Sequence, residues 1–542
     1  MEWAGLIVVI PLLLMTGRVA AVEPAADLVA AGRAIYLEGR LPSGEAVKAR
    51  REGGAMLSGS AAACVQCHQF SGMGLAEGSL VIPPVTAPVL FRNQLPDGHI
   101  PRRAPGMRFT DYPSRTRALY DETGLARAIR TGESPAGHVF SPLMPRYDLT
   151  DDAMQALIAY LRSLSAQPSP GADARVAHFA TVVAPDVDPG RRDAMLGVLK
   201  ACFAERYPDA SAPGSDDVER QAWRLHVWAL EGPPETWQQQ LASYYARQPV
   251  FALVSGLGAD EWSPVEGFCE SQGLPCLFPN AQPPLASAAG RYSFYFSRGL
   301  GLEADVFVLQ LKAYQSSRKR PGRIVQLISG EEIGQRAAAA LAQTLADAGI
   351  AVETWRLETH AHGLSGLKQD DALVLWLSAG ELDHLMRRVP TPPAVGEVLV
   401  SGILSGLEDA PLNPAWRKVA ALAYPFDPPA RWQLRMQRNL RPWLDRHQLP
   451  RQDERLQGNT LAACNLLAES MLRLRGNHLR DYLVEWVENY PTAMGNAPAP
   501  QAYPRFSLGP GQRFSSKGVY LVRFAGENGR RIEPLQQDWI VP

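Results

Sequence analysis

The sequence predicts a multidomain protein, with an all-α domain over about residues 26–166 followed by a two-lobed α/β domain over 176–542. Three observations predict it. Apolar residues recur at helical spacing on both sides of Cys64-Val65-Gln66-Cys67-His68. A Pro/Gly/Ser-rich stretch, Gln167-Pro168-Ser169-Pro170-Gly171-Ala172, interrupts the pattern and reads as a linker over 167–175. Beyond it, short apolar runs alternate with amphipathic helical stretches, the pattern of doubly wound parallel sheets. A chain of 542 residues is also too long for a single core.

Taken in order, Leu6-Ile7-Val8-Val9-Ile10-Pro11-Leu12-Leu13-Leu14-Met15 has the length of a signal-peptide core, and Val19-Ala20-Ala21 supplies the small residues of a cleavage site. Residues 1–21 are therefore expected to be an export signal, with the mature chain starting near Val22 in the periplasm. Met1-Glu2-Trp3 lacks the usual positive charge. The run is short for a bilayer, so no stable membrane span is expected.

The first domain is built around C-x-x-C-H, the attachment sequence of a c-type haem. Two thiols three positions apart can add to the two vinyl groups on one porphyrin edge, and the adjacent imidazole then reaches the iron. A zinc site would need a second Cys/His pair nearby, and the next cysteine is Cys202. One covalent haem c is expected on Cys64 and Cys67, with His68 as the proximal ligand. Met144, in Ser141-Pro142-Leu143-Met144-Pro145-Arg146-Tyr147, is the candidate sixth ligand, because the flanking prolines stiffen its loop. A thioether opposite imidazole raises the potential and suits an electron carrier. Met107 and His138 compete for that position.

An opening helix is expected over Leu28–Tyr36, a third over Leu125–Arg130 and a closing helix over Asp151–Leu164. The closing helix carries Leu157, Ile158, Leu161 and Leu164 on one face, which should pack on the opening helix. Thr150 is a good N-cap, and Asp151 and Asp152 suit the positive end of the helix dipole.

These residues resemble a class I cytochrome c of the kind found with bacterial quinoprotein alcohol dehydrogenases. The likeness rests on Gly32-Arg33-Ala34-Ile35-Tyr36, the motif at 64–68, Gly124-Leu125-Ala126-Arg127-Ala128-Ile129-Arg130-Thr131-Gly132, and Met144-Pro145-Arg146-Tyr147 with its helix. It implies one-electron transfer at an exposed haem edge and a redox partner protein, with a quinoprotein dehydrogenase as the natural donor. The Arg/Pro-rich insertion Leu90–Tyr120 is unusual. Its Arg102, Arg103 and Arg108 could neutralise haem propionates, a solvated loop being the alternative.

In the second region, strands are expected at Phe179–Ala184, Trp223–Trp228, Phe251–Val254, Cys276–Phe278, Arg323–Ile328, Ala372–Leu377 and Glu397–Val400. Helices are expected at Asp193–Phe203, Trp237–Tyr245 and Gln335–Ala348. The region resembles a type I periplasmic solute-binding protein of the leucine/isoleucine/valine-binding kind used by ABC importers. The likeness rests on Phe251–Gly258, Gly273–Asn280, Ile328-Ser329-Gly330 with Ile333-Gly334, and Ala423-Tyr424-Pro425-Phe426. It implies two lobes with hinges near 296–300 and 424–428 and a small-molecule ligand between them. Ser255, Gly256, Asn280, Phe296, Ser297, Ser329, Ser378 and Tyr424 stand just after strands, where such ligands bind. Ser and Gly there also serve simply as turn formers.

Cys269 and Cys276 could close a short loop through Glu-Ser-Gln-Gly-Leu-Pro, buried free thiols being the alternative. Cys202 and Cys464 lie in helical patterns and read as small core residues rather than a bridge. Lys+Arg 54 against Asp+Glu 55 leaves no basic excess, so nucleic-acid binding and polybasic membrane attachment have no support. No catalytic triad, phosphate loop or further metal site is assembled. The expected function is therefore not enzymatic: periplasmic electron transfer, with the second domain sensing a ligand or docking a partner. The alternative is the binding component of an importer with an accessory haem. A peroxidase ranks last, because Met144 would fill the open iron position.

Overall fold

A computed structural model describes residues 26–77, 80–92, 119–185, 187–206, 221–258, 262–285, 290–317, 322–360, 364–494, 500–526, 531–536 and 539–542. Residues 1–21, expected to be an export signal, and Met107, Arg102, Arg103 and Arg108 lie outside them. The described residues divide into two compact units, 26–166 and 167–542. Among them, no helix is long and apolar enough to cross a membrane.

The first unit runs α1 (Ala26–Glu38), β1 (Lys48–Arg50), β2 (Met56–Ser58), α2 (Val65–His68), β3 (Leu75–Glu77), β4 (Leu80–Ile82), α3 (Ala87–Arg92), α4 (Glu122–Thr131), β5 (Arg146–Tyr147) and α5 (Asp151–Ser163). It is not all-α. β2, β1 and β5 form an antiparallel sheet in that order, and β3 pairs with β4. These strands are two or three residues long, too short for a two-residue period to stand out. The expected helix pair is present: α1 packs on α5, and Leu157, Ile158, Leu161 and Leu164 are all buried with Ile35 and Tyr36. Gly32 makes the close approach possible, since a Cβ there would lie 1.9 Å from the Ala156 carbonyl oxygen. The Thr150 hydroxyl caps α5 by accepting from the Ala153 N–H at 3.3 Å.

In the second unit, β6 (Val176–Val183), β7 (Ala222–Ala229), β8 (Ala252–Val254), β9 (Cys276–Leu277) and β10 (Ser293–Phe294) form a parallel sheet ordered β10-β9-β8-β6-β7. The helices α6 (Pro189–Arg206), α7 (Trp237–Arg247) and α8 (Ser263–Gln272) connect its strands. After α9 (Leu300–Ser316), a second sheet contains β11 (Ile324–Ile328), β12 (Val352–Arg356), β13 (Ala372–Trp376), β14 (Glu397–Val400), β15 (Ala420–Tyr424), β16 (Tyr520–Ala525) and β17 (Arg531–Pro534). Its order is β12-β11-β13-β14-β15-β16-β17. β11 to β15 are parallel, whereas β16 and β17 add an antiparallel edge that the alternating pattern does not announce.

Each sheet has its own core, Trp228, Leu241, Leu253 and Phe268 against the first and Leu327, Leu375, Val400 and Leu422 against the second. The chain passes between the sheets from β10 to α9, from β15 to the helix Glu454–Leu474, which packs on α6, and from Phe514, which bridges Tyr295, to β16.

Two bonds contradict or complete the cysteine expectations. Cys202 and Cys464 form a disulfide, contrary to their reading as separate core residues. α6 packs on the 454–474 helix and brings their Cα atoms to 6.8 Å, a proximity hidden by 262 residues of sequence. Cys269 and Cys276 are also paired. The segment read as a linker is docked on the second unit. Ser169 N–H donates to the His478 carbonyl at 2.8 Å, and the buried Arg480 guanidinium donates to the carbonyls of Pro170, Val250, Phe251 and Gln272.

Candidate functional site

Of six cysteines, Cys64 and Cys67 alone carry no disulfide. Cys64 stands at the N-cap of the one-turn helix α2, and Cys67 and His68 close it. The segment is fixed from both sides. Before it, the buried Tyr147 of β5 donates its hydroxyl to the Ala62 carbonyl at 3.0 Å and lies within hydrogen-bond reach of the Cys64 sulfur. After it, Gln69 takes a left-handed conformation (φ 63°), and its carbonyl accepts from the Tyr36 hydroxyl at 2.8 Å. The chain then folds back so tightly that a Cβ on Gly74 would lie 2.1 Å from the Ile82 carbonyl oxygen.

That fold-back presents the Pro83 carbonyl to His68 Nδ1 at 3.0 Å. Nδ1 therefore carries the proton, and Nε2 keeps a lone pair available to a metal. Burial lowers the His68 pKa to about 4 against the raising effect of the Pro83 bond, so the ring is neutral, the form that ligates metals. Burial likewise pushes the Cys64 thiol up to about 11. A thiol so reluctant to ionise is a poor redox or metal-binding thiolate.

Met144 is half-buried in the turn before β5, with its N–H donating to the Ser141 carbonyl at 3.0 Å. The Arg146 guanidinium donates to the Met144 carbonyl and packs over Gly132, where a Cβ would lie 1.9 Å from it. Gly132 thus serves twice, as the left-handed C-cap of α4 and as the bed for Arg146. His138 is exposed in the preceding loop. Sequence reasoning missed Pro83 and the anchoring role of Tyr147. A backbone carbonyl leaves no side-chain signature, though Tyr147 lay within a quoted motif.

The proposed ligand positions of the second unit separate into two groups. Ser255, at φ 54°, and Asn280 meet: Asn280 Nδ2 donates to Ser255 Oγ at 3.1 Å and to Thr460 Oγ1 at 3.3 Å, while Asn459 Nδ2 donates to Asn280 Oδ1 at 3.2 Å. Gly256 makes the turn beside them at φ 134°. The remaining residues are spent locally. Ser297 accepts from Gly299 N–H, Ser329 from Glu331 N–H, and Ser378 forms a capping box with Glu381. Tyr424 is fully buried and accepts from Trp432 Nε1 at 3.3 Å. Phe296 stacks on Tyr503 with ring centroids 5.4 Å apart.

Residues 54–165 match the family model for cytochrome c, and a cytochrome c domain implies covalently bound haem c. The donor set fits that group: two unpaired thiols three positions apart, followed by a neutral imidazole whose Nε2 is free to ligate. No curated protein matches the sequence. Among solved structures, the chain is similar to a leucine binding protein from Thermotoga maritima, with 12% identity over 68% of this chain and 99% of that one and a TM-score of 0.48. It is similar to a fatty acid ABC transporter substrate-binding protein from Thermomonospora curvata, with 15% identity over 69% and 95% and a TM-score of 0.47. A branched chain amino acid ABC transporter from Thermus thermophilus with bound valine matches with 12% identity over 68% and 97% and a TM-score of 0.47.

Proposed function

We propose that the protein is a periplasmic one-electron carrier that binds a single haem c through Cys64 and Cys67, with His68 and Met144 as axial ligands. The observation that carries the proposal is the state of the C-x-x-C-H segment. Its two thiols are unpaired in a chain whose other four cysteines form disulfides, and Pro83 holds the His68 ring in the ligating tautomer. When bound, haem c supplies a one-electron couple whose potential the axial ligands set. The chain's own residues do the holding. Tyr147 and Tyr36 fix the backbone on either side of α2, Pro83 orients His68, and the Arg146 bond to the Met144 carbonyl fixes the Met144 loop.

No substrate chemistry belongs to this unit, and the protein is not an enzyme. The second unit docks the redox partner or senses a small metabolite, and the polar cluster of Ser255, Asn280, Asn459 and Thr460 is the place to look for recognition. A quinoprotein dehydrogenase is the proposed electron donor. The test is expression with haem-maturation machinery, followed by denaturing electrophoresis with haem staining. Covalent haem in the wild-type chain, lost from Cys64→Ala/Cys67→Ala, is expected, and a wild-type chain without covalent haem overturns the proposal.

A further inference from the structure

Among the chain's ten histidines, His178 and His226 meet on the first sheet of the second unit, and Asp173 acts on both His178 and His478. Electron transfer makes no use of them. β6 and β7 are parallel neighbours, with His178 opposite Arg224 and Ala180 opposite His226. Residues two apart share a face of a sheet, so His178 and His226 meet on the diagonal. His178 Nδ1 and His226 Nε2 are 3.0 Å apart, with ring centroids at 5.2 Å and planes inclined by 27°. β7 is the edge strand of its sheet and both rings are half-buried, so the pair is reachable from solvent.

We propose that His178 and His226 form a chelating site for copper(II). With metal–nitrogen bonds of about 2.0–2.1 Å, donors 3.0 Å apart subtend roughly 91–97° at the metal. That near-right angle suits tetragonal copper(II) and is narrower than a tetrahedral zinc site wants. Copper(II) also stands highest in the affinity order for nitrogen donors.

In the metal-free pair one ring donates its N–H to the lone pair of the other. Binding moves that proton to the outer nitrogen of the same ring and turns both rings about their Cβ–Cγ bonds so that the two lone pairs converge on the metal, with no change of charge on the rings and no redox step. Burial lowers both pKa values, with His178 adding to the effect on His226. Asp173 and Arg224 bring opposite charges to bear on His178. Among the described residues, no group of three or more His, Cys, Asp or Glu is placed to hold a metal. The described residues therefore supply two donors, and water completes the shell.

The test uses the full haem-loaded chain titrated with copper(II) sulfate, followed by calorimetry and electron paramagnetic resonance. One copper(II) per chain is expected, with hyperfine structure from two imidazole nitrogens, weaker binding of zinc and an unchanged haem spectrum. His178→Gln and His226→Gln should each weaken binding at least as much as the loss of an outer-sphere partner does, on the order of 10- to 100-fold. The double variant should lose the site while keeping its metal-free melting temperature. Absence of saturable binding, or undiminished affinity in the double variant, overturns the proposal. A wild-type spectrum without two coordinated imidazoles does so independently of how the variants fold.

Discussion

Glu303 offers the sharpest quantitative prediction for the second unit. It lies in the first turn of α9, fully buried, where it accepts from the Ser401 hydroxyl at 2.5 Å and from the Ile403 N–H at 3.0 Å. Burial raises its pKa from 4.5 to about 8, against the lowering effect of those bonds. Below pH 4.5 the folded and unfolded chains both hold the proton. Between 4.5 and about 8 only the folded chain holds it, so stability falls as pH rises, by about 1.4 kcal/mol per pH unit. From pH 5 to pH 8 the loss amounts to about 3–4 kcal/mol, and above the folded pKa it is complete. Glu303→Gln keeps the shape and the acceptor for Ile403 but removes the titration. Urea unfolding of both proteins across that pH range, monitored on the second unit, should show the variant gaining about 3–4 kcal/mol on the wild type. A wild-type-to-variant difference that does not change with pH would show that Glu303 does not hold a proton in the folded chain.

Three further perturbations address other parts of the molecule. Gly32→Val drives a side chain into the Ala156 carbonyl across the α1–α5 contact and should cost about 1–3 kcal/mol or more, read as a lower melting temperature of the first unit. Cys202→Ser/Cys464→Ser removes a bridge that closes 262 residues and should cost roughly 2–5 kcal/mol in denaturant unfolding, with no change in the haem spectrum. Met144→His replaces a thioether by imidazole and should lower the reduction potential by on the order of a hundred millivolts or more. An unmoved potential would remove Met144 from the axial position.

The helices around the motif were legible because their signals are local. Leu157, Ile158, Leu161 and Leu164 recur at helical spacing, and Thr150 precedes two aspartates as a capping residue should. The strands of the parallel sheets were legible for a similar reason, being short apolar runs buried on both faces, as β11 and β13 are. What escaped depends on distant partners. Cys202 and Cys464 are joined only once α6 meets the 454–474 helix. Ser255 and Asn280 were singled out, yet nothing near them in sequence announces Asn459 and Thr460. The short strands of the first unit are too brief to carry a period, and Pro83 acts through a carbonyl that every residue possesses.

In the proposed function, residues 26–166 hold one covalent haem c with His68 and Met144 on the iron. A spectroelectrochemical redox titration of the full-length protein tests it most directly. A single one-electron wave at elevated potential is expected, with the visible and near-infrared bands of histidine–methionine ligation. Absence of a reducible haem, or bis-histidine bands at low potential, would contradict it.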